Sequence, residues 1–484
     1  MKWFALLLLA SCNDNTVAIS PVVDVPANDN ASAFPLDTLV LSVAHAGDAA
    51  DLVSQTFKTG QHISLPGVPF ADDLVIHMTG SVGSSEVAYG RTCAIAVTAA
   101  GPTPSPHLFF SRSVKFADLD LPTPPAARQD GHAITDIDGA GLIFGGTDPS
   151  SDTAIADVER FDPQTGTLTT LATVSPRKNA VAASLGVGGD TRIALIGGTD
   201  PSNNNAGATF VELIEPDAPE SRRIERIDDA QMARTGLTAT ALTDGRVIVI
   251  GGKEGLTPSP AVDEVSIDSG TASIRVLRAL LTSPRSAHTA TRLGNDVGAA
   301  VLVAGGLDET GAAVKTAELF KPLSEEFSTT TYAMNIPRSN HRAVLMPDGS
   351  VLIIGGIGID PMTGMVGAIR TLELFTLDEG FKKLTPDLPA NAGLIDFAAT
   401  PLPDGRVLLT GGRICDGCTA LDTAFIARLD PIDGSVDVVA TDHMSVPRAG
   451  HSATLLCDGT VLITGGTDTV VPASRYNPPA LGRR

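Results

Sequence analysis

The sequence predicts an all-β protein in which a seven-bladed β-propeller follows a small β-sandwich. An apolar, β-branched segment ending in Gly-Gly occurs seven times, with its second glycine at positions 146, 198, 252, 306, 356, 412 and 466. The spacings are 52, 54, 54, 50, 56 and 54 residues, so the chain repeats one unit. Each unit holds four strand-sized pieces, which is the content of one propeller blade.

The four pieces of each unit are recognisable in order. An inner strand such as HSATLL (451–456) comes first, and the Gly-Gly strand follows it. The turn between them is often Asp-Gly, which tolerates the positive φ of a two-residue hairpin; it begins at Asp244, Asp348, Asp404 and Asp458. The third strand carries a glutamate and an aromatic residue, as in VERFDP (158–163). The fourth has Leu168, Phe327 or Phe381 near its start.

The doublet, the turn and the period resemble the kelch family over residues 107–478. This resemblance implies a kelch-type β-propeller. The tryptophan usual on the family's fourth strand is replaced here by Phe, Leu or Val, which predicts thinner packing between blades.

The two ends of the repeat region predict how the ring closes. Residues 107–119 align with the third and fourth strands of a blade, while the C-terminus has an inner pair (451–466) followed only by SRYNP (474–478). We therefore expect both ends to share the last blade of a propeller domain spanning 104–484, which removes exposed sheet edges. A six-bladed ring with one aberrant pair is the alternative.

The segment before the repeats divides into two parts. Residues 36–103 contain alternating apolar segments separated by Gly, Pro and Ser, which predict a small β-sandwich resembling an immunoglobulin-like spacer. Residues 13–35 lack periodicity and predict a flexible tether.

Residues 1–12, MKWFALLLLASC, have the order of parts of an export signal. They resemble a bacterial lipoprotein signal peptide, which implies lipidation of Cys12 and anchoring at the outer membrane or cell surface. A plain secretory signal with an incidental cysteine is the alternative.

Charge and hydropathy exclude several classes of function. The formal net charge of −21 disfavours nucleic-acid binding, which depends on clustered cations. Beyond the first twelve residues, no apolar run approaches the ~20 residues of a membrane-spanning helix. The sequence thus predicts a monomer anchored through lipid only.

One arginine per blade is the candidate ligand-binding feature. These residues precede the inner strands, at the end of the propeller where the longer loops lie, and the sixth copy lacks one. As guanidinium pairs well with carboxylate or sulfate, they could attract an acidic protein or carbohydrate ligand. The structural alternative is that each bonds carbonyls or acids of the adjacent blade. The six are Arg128, Arg177, Arg234, Arg285, Arg338 and Arg448.

Other reactive side chains favour structural roles. Cys415 and Cys418 predict a local disulfide, whereas Cys93 and Cys457 are expected to be buried small apolar residues. Histidines that open inner strands are expected to bond neighbouring loops, and loop aspartates their own turns, so we predict no metal site and no cofactor. The histidines are His132, His288, His341 and His451; the aspartates are Asp148, Asp200, Asp308 and Asp468.

Two classes of function remain. The first is a non-enzymatic surface lipoprotein whose propeller binds a ligand or protein partner, and the second is a mutarotase-like sugar isomerase. We favour binding and assign no catalytic residue. A copper-radical oxidase of the galactose oxidase type is disfavoured, because Trp3 is the only tryptophan and the only tyrosines are Tyr89, Tyr332 and Tyr476.

Overall fold

The computed structural model describes residues 16–26, 35–58, 60–99, 102–200, 205–329, 333–359, 364–430, 434–467 and 469–478. Over these residues the chain forms strands, joined by turns and by three short 3-10 helices at Gly188–Asp190, Glu220–Arg222 and Ala230–Met232. No described helix is long and apolar enough to cross a membrane.

Seven antiparallel sheets of four strands each are found among the described residues. We number them 1 to 7 along the chain and number the strands of each sheet from the ring axis outward. Sheet 1 contains His132–Thr135, Gly141–Phe144, Asp157–Asp162 and Thr167–Thr173. Sheet 2 contains Val181–Leu185, Arg192–Ile196, Phe210–Ile214 and Ile224–Asp228.

The next four sheets repeat this order. Sheet 3 contains Thr238–Ala241, Val247–Ile250, Val262–Asp268 and Thr271–Val276. Sheet 4 contains Thr289–Arg292, Val301–Ala304, Ala317–Lys321 and Glu326–Thr329. Sheet 5 contains Arg342–Leu345, Val351–Ile354, Glu373–Thr376 and Gly380–Lys383. Sheet 6 contains Ala398–Pro401, Val407–Thr410, Ala424–Leu429 and Val436–Ala440.

Sheet 7 combines the two ends of the repeat region. Its first three strands are Ser452–Leu455, Val461–Thr464 and Ser474–Asn477, and its fourth strand is Lys115–Asp118. The expected sharing is therefore present, but as three strands plus one instead of two plus two. His107–Arg112, which we had aligned with a third strand, pairs instead with Ser85–Arg91 of the N-terminal domain.

The third strand of sheet 7 was missed because SRYN lacks the usual glutamate, although Tyr476 supplies the aromatic ring. Tyr476 packs on Phe116 with ring centroids 4.8 Å apart, as Phe375 packs on Phe381 in sheet 5. The chain turns at Val114, whose φ is 63°, between His107–Arg112 and Lys115–Asp118. The two strands on either side of this turn belong to different sheets.

The seven sheets form a closed ring. First strands contact one another in order, and that of sheet 7 contacts that of sheet 1. Each neighbouring pair of sheets shares one apolar cluster, including the pair at the closure, where Ile143 and Phe161 pack against Leu462. The core thus lies between sheets, and short hairpins project from sheets 2, 3 and 5. The hairpin strands are Thr199–Asp200, Ala206–Gly207, Lys253–Glu254, Thr257–Pro258, Arg338–Ser339, Ile357–Ile359 and Val366–Ala368.

The Gly-Gly doublets are required where neighbouring sheets meet. Both glycines of every doublet have positive φ, a region in which a Cβ is strained. A Cβ on Gly251 would lie 2.8 Å from the His288 ring of the next sheet. A Cβ on Gly252 would lie 2.8 Å from Leu237 within its own sheet.

The N-terminal domain is also a β structure. One sheet orders its strands as Val22–Asp24, His107–Arg112, Ser85–Arg91, Ala71–Val82, Thr38–His45 and Val53–Lys58, and Ile95–Val97 also pairs with Ala71–Val82. A second pair, Thr16–Ile19 and Leu65–Pro69, contributes Ile19 and Leu65 to the same apolar core. Residues 16–24 are thus paired strands and not the expected tether, because their apolar side chains cover this core.

The N-terminal domain is attached to sheet 7 in three ways. Cys93 and Cys457 form a disulfide with Cα atoms 5.0 Å apart. The Asn477 amide donates hydrogen bonds of 2.7 Å and 3.0 Å to the carbonyls of Tyr89 and Ser111. The guanidinium of Arg475 stacks on the Phe109 ring at 4.0 Å.

Candidate ligand-binding site at the ring axis

A belt of seven residues with positive φ surrounds the axis, one before each first strand. Their φ values lie between 51° and 66°, a region that favours Gly, Asn and Asp. Four backbone hydrogen bonds among the described residues link successive members, such as that from the Asn340 N–H to the Ala287 carbonyl at 3.0 Å. These bonds fix the backbone of six of the seven members at one end of the ring. Its members are Asp130, Asn179, Gly236, Ala287, Asn340, Asp396 and Gly450.

A polar cavity of about 400 Å³ lies at this belt. Four belt side chains line it, those of Asp130, Asn179, Asn340 and Asp396, together with Arg342 from the first strand of sheet 5. It also receives His132, His451 and Ser452. Its volume falls in the range of small-molecule sites.

The charges in the cavity are partly compensated by protein groups. Asp396 accepts a hydrogen bond from the Arg413 guanidinium at 2.5 Å. Burial, followed by the nearby charge of Asp396, raises the pKa of Asp130. Burial lowers the pKa of Arg342, while Asp396 and Asp130 oppose that shift. The cavity thus holds charges of both signs, whose pKa values are shifted by partial burial and by one another.

The six predicted arginines lie elsewhere and are buried, with exposed fractions of 0 to 3%. Five of them pair with a carboxylate on the third strand of their own sheet, and Arg285, for example, lies 2.9 Å from Glu318. Because their charges are satisfied inside the protein, they are not available to a ligand. The pairs are Arg128–Glu159, Arg177–Glu212, Arg234–Asp263, Arg285–Glu318 and Arg338–Glu373.

Five of these arginines, Arg128, Arg234, Arg285, Arg338 and Arg448, also connect neighbouring sheets through their backbone carbonyls. The Arg285 guanidinium donates to the carbonyl of Gly305 in its own sheet at 3.0 Å, and the Arg285 carbonyl accepts from Gly252 N–H of the preceding sheet at 3.0 Å. The structural alternative stated above is therefore favoured, with the difference that the acids belong to the same blade.

Sheet 7 is the exception among the arginines. Arg448 has Ser474 where sheets 1 to 5 have an acid, and it donates to the carbonyls of Gly465 and Pro472 at 2.7 Å and 2.8 Å. Burial lowers the pKa of Arg448 to about 10, against the nearby charge of Asp118. Asp118 itself accepts from the Ser474 hydroxyl at 2.6 Å.

Three of the four histidines occupy equivalent positions between sheets. The Nε2 atoms of His288, His341 and His451 lie 2.8–3.1 Å from a threonine hydroxyl of the preceding sheet. His132 is one residue further along its strand, so its side chain occupies the alternate face and lines the cavity.

The cysteines form two disulfides among the described residues. Cys415 and Cys418 are joined within their loop. Cys93 and Cys457, expected to be separate buried thiols, are joined to each other, because the N-terminal domain docks on the turn of sheet 7. Cys12 lies outside the described residues.

The loop aspartates bond their own turns where they are described. Asp148 accepts from Ser150 N–H at 2.7 Å, and Asp308 from Thr310 N–H at 2.8 Å. Among the described residues, no group of three or more His, Cys, Asp or Glu side chains could hold a metal ion. Asp468 and the side chain of Asp200 are not described.

Comparison with known proteins places this geometry in a class. The all-β architecture is similar to a fungal alcohol oxidase of the AA5 family solved with copper, with a TM-score of 0.52, 17% identity and coverage of 75% of this chain and 76% of that one. A second solved structure, that of YjhT, gives a TM-score of 0.48 at 14% identity and covers 66% of this chain and 99% of that chain. The architecture is thus that of a propeller-like all-β protein.

The curated relatives are kelch-repeat proteins. An F-box/kelch-repeat protein of Arabidopsis thaliana is 29% identical over 141 residues, covering 28% of this chain and 29% of that protein. Adagio-like protein 1 of Oryza sativa subsp. japonica is 26% identical over 332 residues, covering 63% of this chain and 50% of that protein. The chain thus spans half or less of the length of these relatives, and no family profile matches it.

The residues that the structure describes do not fit a copper-radical site. Tyr476 is buried in sheet 7 and bonds Thr441 at 2.9 Å, and Tyr89 lies in the N-terminal domain. All four described cysteines are in disulfides, so none can join a tyrosine. Tyr332 lies outside the described residues.

The belt was not found by sequence reasoning, although a signal for it exists. Six of the seven belt residues stand two positions after the recurrent arginine, and Asp396 stands two positions after Leu394. An Asp, Asn or Gly occupies six of the seven places. A positive φ would explain that choice. Because the arginine is charged and recurs, we predicted the ligand contacts there, whereas the structure buries it.

Proposed function

We propose that the chain is an exported, lipid-anchored, seven-bladed kelch-type propeller preceded by an immunoglobulin-like spacer. In this proposal the propeller binds a small polar ligand, or a polar group of a partner protein or carbohydrate, without catalysis. The resemblance to kelch-repeat proteins and the closed ring of seven sheets support the architecture. The axial cavity supplies the binding site.

The observation that carries the proposal is a set of polar side chains at the axis that the fold does not use. Asn179 and Asn340 are exposed, and within the described part of the chain their amides make no hydrogen bond. Asn340 N–H is bonded to the Ala287 carbonyl, and Lys178, next to Asn179, exchanges two backbone hydrogen bonds with Thr199. Both backbones are thus held locally, which preorganises the amides for a ligand. Polar groups converging on a cavity are the usual mark of a binding site.

A ligand screen with matched variants tests this site. Thermal-shift and NMR binding assays would use neutral sugars, acidic glycans, short peptides and divalent cations. The double variant Asn179→Gly/Asn340→Gly removes both amides while glycine keeps the positive φ. Ser269→Gly, at φ 49° on an outer turn of sheet 3, is the matched control.

We expect the double variant to bind its ligand at least ten-fold more weakly with an unchanged melting temperature, and Ser269→Gly to bind normally. Unchanged binding in the double variant would place the site away from the axis.

A mutarotase-like isomerase is the second candidate, and Asp130 favours it. A carboxyl whose pKa is raised, lying beside a second carboxylate in a cavity, suits proton transfer. NMR measurement of anomer exchange on common sugars tests this activity. Acceleration that Asp130→Asn abolishes would establish the enzyme, and no acceleration on any sugar would leave binding alone.

The anchoring proposal rests on the segment LASC at 9–12. Cys12→Ser should release the protein from the membrane fraction. Retention of this variant in membranes, with no acyl chain on the wild type by mass spectrometry, would overturn lipidation.

A further inference from the structure

The axial cavity contains two opposite charges that no protein group neutralises directly. Of its acids, Asp396 is paired with Arg413 at 2.5 Å. Asp130 and Arg342 remain, and within the described residues neither takes part in an ion pair. Both side chains are exposed to the cavity.

Arg342 is positioned but incompletely used. Its Nε donates to the Phe397 carbonyl at 3.0 Å, which fixes the guanidinium against sheet 6. Its two terminal nitrogens make no hydrogen bond to the described part of the chain. Two parallel N–H donors on a fixed guanidinium match the two oxygens of a carboxylate.

Asp130 is positioned in a comparable way. A Cβ on Gly450 would lie 2.5 Å from the Asp130 carboxylate, so the glycine makes room for this acid. Asp130 N–H is bonded to the Gly450 carbonyl at 3.1 Å, which fixes the backbone. The carboxylate itself accepts no hydrogen bond from the described residues, and an ammonium group would satisfy it.

We propose that the axial ligand is a small zwitterion of the α-amino acid class, with its carboxylate on Arg342 and its ammonium group on Asp130. This inference rests on the proposed function and names the ligand of the same site. The amides of Asn179 and Asn340 supply donors and acceptors for the remainder of the ligand. The volume of about 400 Å³ accommodates a molecule of this size.

Charge balance favours a zwitterion over an ion of one sign. A simple anion on Arg342 would displace water from the cavity and leave Asp130 with a like charge beside it. A simple amine on Asp130 would likewise place a like charge beside Arg342. A site that leaves a desolvated charge unpaired discriminates against such a ligand.

The experiment compares each ligand with its two truncated analogues. The twenty free amino acids are screened by thermal shift on the purified chain with both disulfides formed. The best binder is then titrated calorimetrically beside its deaminated carboxylic acid and its decarboxylated amine. The variants are Arg342→Gln and Asp130→Asn, and asparagine preserves the positive φ at position 130.

Arg428→Gln is the control, because Arg428 is exposed in a groove lined by Asp-Gly turn residues, away from the axial belt. We expect each analogue to bind at least ten-fold more weakly than the amino acid. Arg342→Gln should abolish the preference over the amine, and Asp130→Asn the preference over the acid. Arg428→Gln should change neither preference.

Binding of either analogue as tightly as the amino acid, or of no amino acid at all, would overturn the inference. If neutral sugars bind and Asn179→Gly/Asn340→Gly weakens them while Arg342→Gln does not, the zwitterion is wrong and the axial site stands. If no axial variant affects any ligand, the proposed function fails as well.

Discussion

Leu394 and Phe425 occupy in sheet 6 the two positions that hold the buried arginine and its carboxylate in sheets 1 to 5. Leu394 accepts the backbone bond of Gly356 N–H as Arg338 accepts that of Gly306, and Phe425 pairs with Leu409 as Glu373 pairs with Ile353. Their exposed fractions are 3% and 4%, and both belong to the core between sheets 5 and 6. One repeat has thus exchanged both ionic partners for apolar ones.

This exchange predicts the effect of breaking a pair in sheet 4. Glu318→Ala leaves the buried charge of Arg285 uncompensated and should lower the free energy of unfolding by about 3–5 kcal/mol. The double variant Arg285→Leu/Glu318→Phe copies sheet 6 and should recover most of that loss. Chemical denaturation measures both, with the exposed Glu326→Ala as control. A double variant as unstable as Glu318→Ala would contradict the exchange.

The interblade histidines predict that stability falls in mild acid. Burial lowers the pKa of His288 and His451 to about 3 and that of His341 well below its usual value. These rings stay neutral in the folded state and bind protons when unfolded, so their contribution is complete above pH 6.5. It is lost progressively from pH 6.5 toward pH 3.

For each of these histidines, the free energy of unfolding should fall by about 2 kcal/mol between pH 6.5 and pH 5. Urea unfolding at both pH values measures this loss, and His288→Gln should reduce the pH dependence by one histidine's share. A pH dependence unchanged by this variant would show that His288 titrates alike in both states.

The two disulfides should contribute unequally to stability. Cys93–Cys457 closes a loop of 364 residues and Cys415–Cys418 one of 3. Loop-closure entropy gives about 6 kcal/mol for the long loop and about 2 kcal/mol for the short one. Cys93→Ser/Cys457→Ser should therefore lower the melting temperature much more than Cys415→Ser/Cys418→Ser. Equal shifts would mean that the N-terminal domain remains docked without its disulfide.

Substitution of alanine should destabilise the protein at a glycine of a Gly-Gly doublet but not at a glycine with open space around it. In Gly251→Ala the new Cβ would meet the Arg285 carbonyl at 2.7 Å with φ at 62°, so the free energy of unfolding should fall by about 2 kcal/mol or more. Gly367→Ala has open space around its Cβ and should be nearly neutral. Similar melting temperatures for the two variants would contradict the packing argument.

The sequence was sufficient for features set by local chemistry. Each Gly-Gly follows a second strand in the structure, and the turn at Asp404 joins two strands as Asp-Gly turns do. Features that depend on contact between distant residues were harder. The partner of Cys93 is 364 residues away and could not be chosen from spacing alone.

The arginine pairs lie between these extremes. An arginine equivalent to Arg285 occurs in six repeats and an acid equivalent to Glu318 in five, but only the antiparallel pairing of the first three strands brings the two together. Sheet 6 carries the missed signal, because it lacks the arginine and the acid at the same time. The axial belt was missed for a different reason: its signal is a recurrent Asp, Asn or Gly, which indicates a backbone angle and not a reactive side chain.

The disulfide between Cys93 and Cys457 changes what a protease can accomplish. Sheets 1 to 6 lie wholly inside the covalent loop that it closes. A cut in any surface hairpin of these sheets leaves two fragments that sulfur still joins, and the neighbouring sheets continue to hold the cut ends. A nicked molecule would migrate as one species until a reductant is added, so limited digestion would go unnoticed on a non-reducing gel.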